Sequence, residues 1–173
     1  RRRWSPFTWL GVVLLATVMI LAFLGAFITT MHVRSYDPVS VAADGMTNLD
    51  VDVDSGALSA TCGASEGFVL TQKNVTDRWH MDAEGGTVHV WQESDNEWLP
   101  QIWFLGKPAE EVALEIPQSL CEQSLTADLS VDAGSLDVKA DVDGATVDVS
   151  AGSLSLSGAA NVVTVNVAAG SAD

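Results

Sequence analysis

One tripeptide returns at a fixed interval near the C-terminus: Ala133-Gly134-Ser135, Ala151-Gly152-Ser153 and Ala169-Gly170-Ser171, 18 residues apart both times. The segments around it keep the same spacing. Leu129-Ser130-Val131-Asp132, Val147-Asp148-Val149-Ser150 and Val165-Asn166-Val167-Ala168 alternate apolar and polar residues. A fixed period with period-2 alternation inside it predicts a mainly β chain, a β-solenoid of stacked short strands with rungs of about 18 residues. A single rung cannot bury its few inward aliphatics, so rungs must stack on one another to make a core. Leu129, Val131, Leu136, Val138, Val147, Val149, Leu154, Leu156, Val165 and Val167 are expected to point inward, with Asp132, Asp137, Lys139, Asp148 and Ser155 outward. Gly134, Gly152 and Gly170 are expected at turns that demand a positive φ.

The other end of the chain is of a different kind. Phe7 to Met31 contains no charged residue, and at 1.5 Å per residue a helix of that length spans about 37 Å, more than the roughly 30 Å of a bilayer's hydrocarbon core. Ser5 and Pro6 suit a helix start, and Trp4 and Trp9 suit an interfacial belt. Arg1, Arg2 and Arg3 lie on the near flank, so the positive-inside rule puts the N-terminus in the cytoplasm. A cleaved signal peptide shares the basic start, but its apolar stretch is shorter, about 7 to 15 residues. The expected organisation is a cytoplasmic flank over residues 1–5, one transmembrane helix over 6–31, a stalk over 32–45 around Pro38, and an extracytoplasmic β-solenoid over 46–173. Ala22, Gly25 and Ala26 offer a close approach to a second helix, a weak motif in membrane spans. The chain opens without a methionine and Asp173 follows directly on a repeat turn, so more chain is expected before Arg1 and more rungs can follow Asp173.

Charge excludes one class of partner. Without the three N-terminal arginines, five basic residues face 23 acidic ones, a formal charge of −18. Such a surface repels nucleic acid, and there is no basic stripe to offset it. The acidic residues begin to matter at Asn48-Leu49-Asp50-Val51-Asp52-Val53-Asp54, a clean alternation leading through a turn at Ser55-Gly56 to Ala57-Leu58-Ser59-Ala60. This reads as an irregular terminal rung. Asp-x-Asp-x-Asp also opens a calcium loop, but here Ser55 stands where that loop needs glycine and Thr61 where it needs glutamate. The outer face of a strand is the simpler reading.

Residues 62–111 interrupt the repeat. Phe68-Val69-Leu70, Trp79-His80-Met81 and Thr87-Val88-His89-Val90-Trp91 read as strands of a meander, with a turn at Glu84-Gly85-Gly86. His80 and His89 lack the companions of a zinc site. Asn74-Val75-Thr76 has the form of a glycosylation sequon, which matters only in a host that uses it. After acidic Glu93, Asp95 and Glu97, an apolar cluster follows in the stretch from Trp98 to Pro108, which holds two prolines, Pro100 and Pro108: Trp98, Leu99, Ile102, Trp103, Phe104 and Leu105. It fits neither strand nor helix periodicity. Two readings stay open, a loop folded over an open end of the solenoid and an exposed patch that contacts a partner or the membrane surface. Val112, Leu114 and Ile116 return to alternation, and regular repeats occupy 125–173.

Cys62 and Cys121 are the only thiols, both outside the membrane on this topology, where a disulfide between them would tie the ends of the irregular insert together. The alternative is two buried free thiols. The chain has no nucleophile elbow, phosphate loop or His-Glu-x-x-His motif. No cofactor or metal is expected, and paired carboxylates acting as a glycosidase are the remote enzymatic alternative.

Val112-Ala113-Leu114-Glu115-Ile116-Pro117, followed by Leu129-Ser130-Val131-Asp132-Ala133-Gly134-Ser135-Leu136 and its echoes, resembles the bacterial putative-adhesin or toastrack family of β-strand-repeat domains. The resemblance covers about residues 46–60 and 112–173. It implies a membrane-anchored envelope protein without catalytic residues, of a kind found with phage-shock or Lia-type stress systems. The expected function is therefore a non-enzymatic extracytoplasmic binding or scaffold module, in envelope-stress sensing or as an accessory subunit of a membrane complex, with a membrane protein or a second copy as partner. The alternative is a surface adhesin-like module that binds a glycan or matrix ligand.

Overall fold

The structure is a computed structural model that describes residues 14–21, 34–93, 110–122 and 125–173. Its contacts divide the chain into two units, residues 1–33 with 97–108, and residues 34–96 with 109–173. Of the first unit, residues 14–21 are described. They form helix α1, with Leu14, Leu15, Val18, Met19, Ile20 and Leu21 all exposed. Among the described residues no helix is long and apolar enough to cross a membrane. Most of the span expected over 6–31, and the flank over 1–5, lie outside the described residues.

The second unit is mainly β, with two sheets. One has seven strands in the order β1 (Arg34–Ala42), β4 (Gly67–Val75), β7 (Glu111–Pro117), β3 (Ala57–Gly63), β9 (Ser135–Lys139), β11 (Ser153–Ser157) and β13 (Ser171–Ala172). The other has six, in the order β12 (Ala160–Val167), β10 (Val142–Val149), β8 (Thr126–Val131), β2 (Asn48–Val53), β6 (Thr87–Glu93) and β5 (Arg78–Glu84). Consecutive strands β8 and β9, β10 and β11, β12 and β13 place one member in each sheet. Each pairs in parallel with its counterpart 18 residues on, as in Leu129↔Val147↔Val165 and Leu136↔Leu154. The repeat period is thus the ladder register.

Register explains the core. Because side chains alternate faces, in-register neighbours stack like with like. The column Val90, Val51, Leu129, Val147 runs between the sheets, and each member is at most 1 % exposed. At about 1.5 to 3 kcal/mol per fully buried aliphatic, such columns supply most of the stabilisation. The next member, Val165, is stacked on one side, against Val147, among the described residues and is 48 % exposed, as Val167 is 43 %. These two residues occupy inward positions by register, but stacking, not alternation, removes water from a side chain.

The turns stack as closely as the strands. Asp132 N–H donates to Val53 O at 2.9 Å, Ala151 N–H to Asp132 O at 2.7 Å and Ser153 N–H to Gly134 O at 3.0 Å, with the same pattern one rung further on. The positive φ expected at Gly134, Gly152 and Gly170 is absent; among the described residues the glycines that do have it are Gly45, Gly56, Gly85, Gly86 and Gly158. Glycine is required at the repeat turns for room. A Cβ on Gly134 would lie 2.5 Å from Gly56 O, and one on Gly152 would lie 2.5 Å from Gly134 O.

Two further expectations are corrected. Residues 34–42, read as stalk, form β1, which pairs antiparallel with β4 and packs Tyr36, Val39 and Val41 against the core. Pro38 is tolerated because β1 is an edge strand with register shifts on either side of Tyr36. The segment 48–60 is not a terminal rung. β2 lies between β6 and β8, and β3 between β7 and β9. After β3 the chain turns back through β4 and β5, lays β6 and β7 on the far side of β2 and β3, then crosses over them to begin β8. The four-residue helix α2 (Gln118–Cys121) starts that crossing.

Candidate functional site

β6 and β7 form a layer like the others, pairing in parallel with β2 and β3, for example Val90↔Val51 and Val112↔Leu58. In the regular layers a turn of a few residues joins the two strands. Here residues 94–110 stand in its place. The chain leaves at Glu93 and returns at Glu110 beside the turn of the next layer, where Ser55 N–H donates to Gln92 Oε1 at 2.9 Å. Thr76 Oγ1 donates to Glu110 Oε1 at 2.7 Å and holds the returning strand. Trp98, Leu99, Ile102, Trp103, Phe104 and Leu105 all belong to this insertion and lie outside the described residues. The sequence carried a sign of the arrangement, since Val88 and Val90 alternate as Leu49 and Val51 do, but the spacing is not 18.

Cys62 and Cys121 are joined in a disulfide, with Cα atoms 6.2 Å apart. Cys62 is the last residue but one of β3 and Cys121 ends α2, so the bridge fastens the crossing segment to the layer it passes.

The outer face of the six-stranded sheet is acidic. Asp50 stands in register with Asp128, and Asp52 with Ser130 and then Asp148. Desolvation at the sheet surface, reinforced by Asp54, Asp132 and Asp50, raises the Asp52 carboxyl above its ordinary value. Toward β5 the same face changes character. His89 Nδ1 meets Asp50 at 2.9 Å, His80 Nε2 meets Glu93 at 2.7 Å, and His80 stacks on Trp91 with ring centroids 5.4 Å apart. His80 and His89 are thus each engaged with one carboxylate. Among the described residues no group of three or more His, Cys, Asp or Glu is placed to hold a metal ion.

The outer face of the seven-stranded sheet carries an open groove of about 580 Å³. Its floor is made of small side chains in register, with Ser135, Ser153 and Ser171 in one column and Ser59, Asp137 and Ser155 in the next. Glu110 and Glu111, at the base of the insertion, form one rim. Strands about 4.8 Å apart space these outward side chains regularly, with serine hydroxyls on either side of the Asp137 carboxylate.

No family model matches the chain, and no curated protein matches it. Among solved structures, a putative cell adhesion protein from Clostridium sporogenes superposes with a TM-score of 0.50 at 8 % identity, over 80 % of this chain and 98 % of that one. A putative adhesin from Bacteroides fragilis gives a TM-score of 0.28 at 8 % identity, over 79 % of this chain and 95 % of that one, too weak a likeness to argue from. The first likeness places the chain with that protein in fold class, a mainly β domain of two sheets.

Proposed function

We propose that the chain is a non-enzymatic binding module, a β-solenoid displayed outside the cell and held at the membrane by a helix over residues 6–31. The observation that carries this reading is the parallel register, which holds outward side chains in fixed columns across successive layers. A stack of that kind gives a partner a rigid repeated surface. The resemblance of residues 46–60 and 112–173 to β-strand-repeat envelope domains supports the same reading, as does the fold shared with the C. sporogenes protein.

Within that class the favoured role is an accessory or stress-sensing subunit of a membrane complex, with Trp98, Trp103 and Phe104 as partner contacts. Their insertion at a turn, where length is unconstrained by the ladders, supports this assignment. A second reading, an adhesin-like module that takes a glycan, is favoured by the groove with its hydroxyl floor. Pull-down of the full chain in mild detergent and glycan binding by the same preparation separate them. A stoichiometric membrane partner lost on replacing Trp98, Trp103 and Phe104 with Ser supports the first. Glycan binding lost on Ser153→Trp, with no such partner, replaces it by the second. Neither a partner nor a glycan would refute the binding role itself.

A further inference from the structure

Trp91 stands on the outer face of the six-stranded sheet and is 37 % exposed, whereas Trp79, the other tryptophan among the described residues, is 1 % exposed. In register its neighbours are His80 on β5 and Asp52 on β2, each about one strand spacing, roughly 4.8 Å, away. His80 stacks on one face of the indole, with the two ring planes 19° apart. The other face is thereby turned toward β2, where the short side chain of Asp52 leaves it uncovered.

The carboxylates around this ring differ in how they are matched. Glu93 is engaged by His80 and Asp50 by His89. Among the described residues Asp52 has neither a hydrogen bond nor an ion pair of its side chain. Desolvation and the charges of Asp54, Asp132 and Asp50 hold its carboxyl above the ordinary value, the mark of a negative site that no cation balances. Arg78 is the only lysine or arginine in the strands of this sheet, and its guanidinium lies over the Tyr36 ring, 5.1 Å from the centroid. A neutral ring laid on Trp91 would gain stacking alone. A cation there is drawn by the ring face and by the Asp52 carboxylate at once.

We propose that Trp91 and Asp52 form a cation-binding notch on the outer face of the six-stranded sheet, and that it takes a lysine or arginine from an extended basic segment of a partner protein. The spacing of the acidic residues favours a chain over a small cation. Asp50, Asp52 and Asp54 occupy alternate positions, roughly 7 Å apart, and the same interval separates same-side residues of another extended segment. One basic side chain enters the notch, and those two positions before and after it face Asp50 and Asp54. This surface is separate from the insertion, and its test uses a different probe from the pull-down, so either reading can fail alone.

The test is fluorescence anisotropy of a labelled peptide of alternating threonine and lysine, titrated with the full chain in mild detergent. A peptide of the same composition with its lysines in one block is the reference. The alternating peptide is expected to bind more tightly than the blocked one. Trp91→Thr, which keeps a strand-forming residue at an exposed position, should weaken its binding by about threefold to thirtyfold, and Trp91→Phe should restore most of the loss. Asp52→Asn should weaken it by about threefold or more. Glu66→Gln removes the same charge at an exposed position between β3 and β4 and should leave the affinity unchanged. No binding of the alternating peptide overturns the proposal, as does unchanged affinity in Trp91→Thr. Equal losses in Asp52→Asn and Glu66→Gln also overturn it, because net charge would then be the cause, and equal binding of the two peptides removes the extended segment as the occupant. If circular dichroism shows Trp91→Thr unfolded, the comparison of Asp52→Asn with Glu66→Gln decides alone.

Discussion

Gly152→Ala adds one methyl group at a turn that has no room for it. The new Cβ would lie 2.5 Å from Gly134 O, 2.5 Å from Val131 Cγ1 and 3.1 Å from Gly134 N. Two of these three atoms are backbone, so no rotamer change relieves the clash. The turn must lift off its neighbour by about 1 Å, stretching the Ser153 N–H to Gly134 O bond of 3.0 Å and the Ala151 N–H to Asp132 O bond of 2.7 Å. Overpacking costs about 1 to 3 kcal/mol and each weakened hydrogen bond about 1 kcal/mol more. A loss of about 3 kcal/mol corresponds to a melting temperature lower by roughly 6 to 12 °C for a chain of this size. Gly144→Ala is the matched control. Its Cβ would meet nothing nearer than 3.9 Å and its φ is not positive, so it should be neutral or stabilise by about 0.4 to 1 kcal/mol through the unfolded state. Thermal and urea unfolding followed by circular dichroism reads both. Equal shifts for the two variants would refute the argument that close approach of stacked turns, and not glycine's flexibility, sets the residue at Gly152.

Three other outcomes are expected. Gln72, 1 % exposed, uses its side-chain amide as a substitute strand, donating to Trp79 O at 2.7 Å and accepting from Trp79 N–H at 2.9 Å. Gln72→Leu strands both groups and should cost about 2 to 4 kcal/mol in urea unfolding; a cost below about 1 kcal/mol would mean that water replaces the amide. Replacing Cys62 and Cys121 together with Ser opens a loop of sequence separation 59 and should lower stability by about 4 kcal/mol on the chain-entropy account, with an unchanged urea midpoint as the contrary result. Asp52 has a folded pKa raised above its ordinary value of 3.8, so the stability that its protonated form contributes is complete below 3.8 and lost as pH rises through the folded value. Asp52→Asn should therefore stabilise at pH 7, with a gain that disappears in acid, and a gain independent of pH would show that charge is not its cause.

The repeats and the insert differ in how far sequence reasoning reaches. Leu129, Val147 and Val165 stand 18 apart, and the ladders pair them at that offset, because a parallel layer repeats its inward positions only when the chain path per layer is constant. The same reasoning fails for Asn48 to Ala60. That segment looks terminal in the chain yet is central in the sheets, because β6 and β7 return to cover its other side. Strands that pair across 39 or 54 residues, as Val51 with Val90 and Leu58 with Val112, leave no periodic trace. β1 escaped notice for a related reason. Asp37 and Pro38 read as loop residues, and only the free edge of β4 makes a strand of them.

Of the candidate surfaces, the acidic columns were legible as Asp50, Asp52 and Asp54 on alternate positions, whereas the serine-floored groove was not. Its floor takes columns from successive layers and its rim from Glu110 and Glu111, brought there by the return of the insertion. The sequence by itself determined the strand pattern, the 18-residue period and the sign of the surface charge, because these depend on which residue follows which. Only the tertiary structure decided which rung is interior and why the repeat glycines are glycines. Those depend on what stacks against each layer, and stacking partners far apart in the chain are chosen by the free edges and buried columns that the whole fold leaves to be covered.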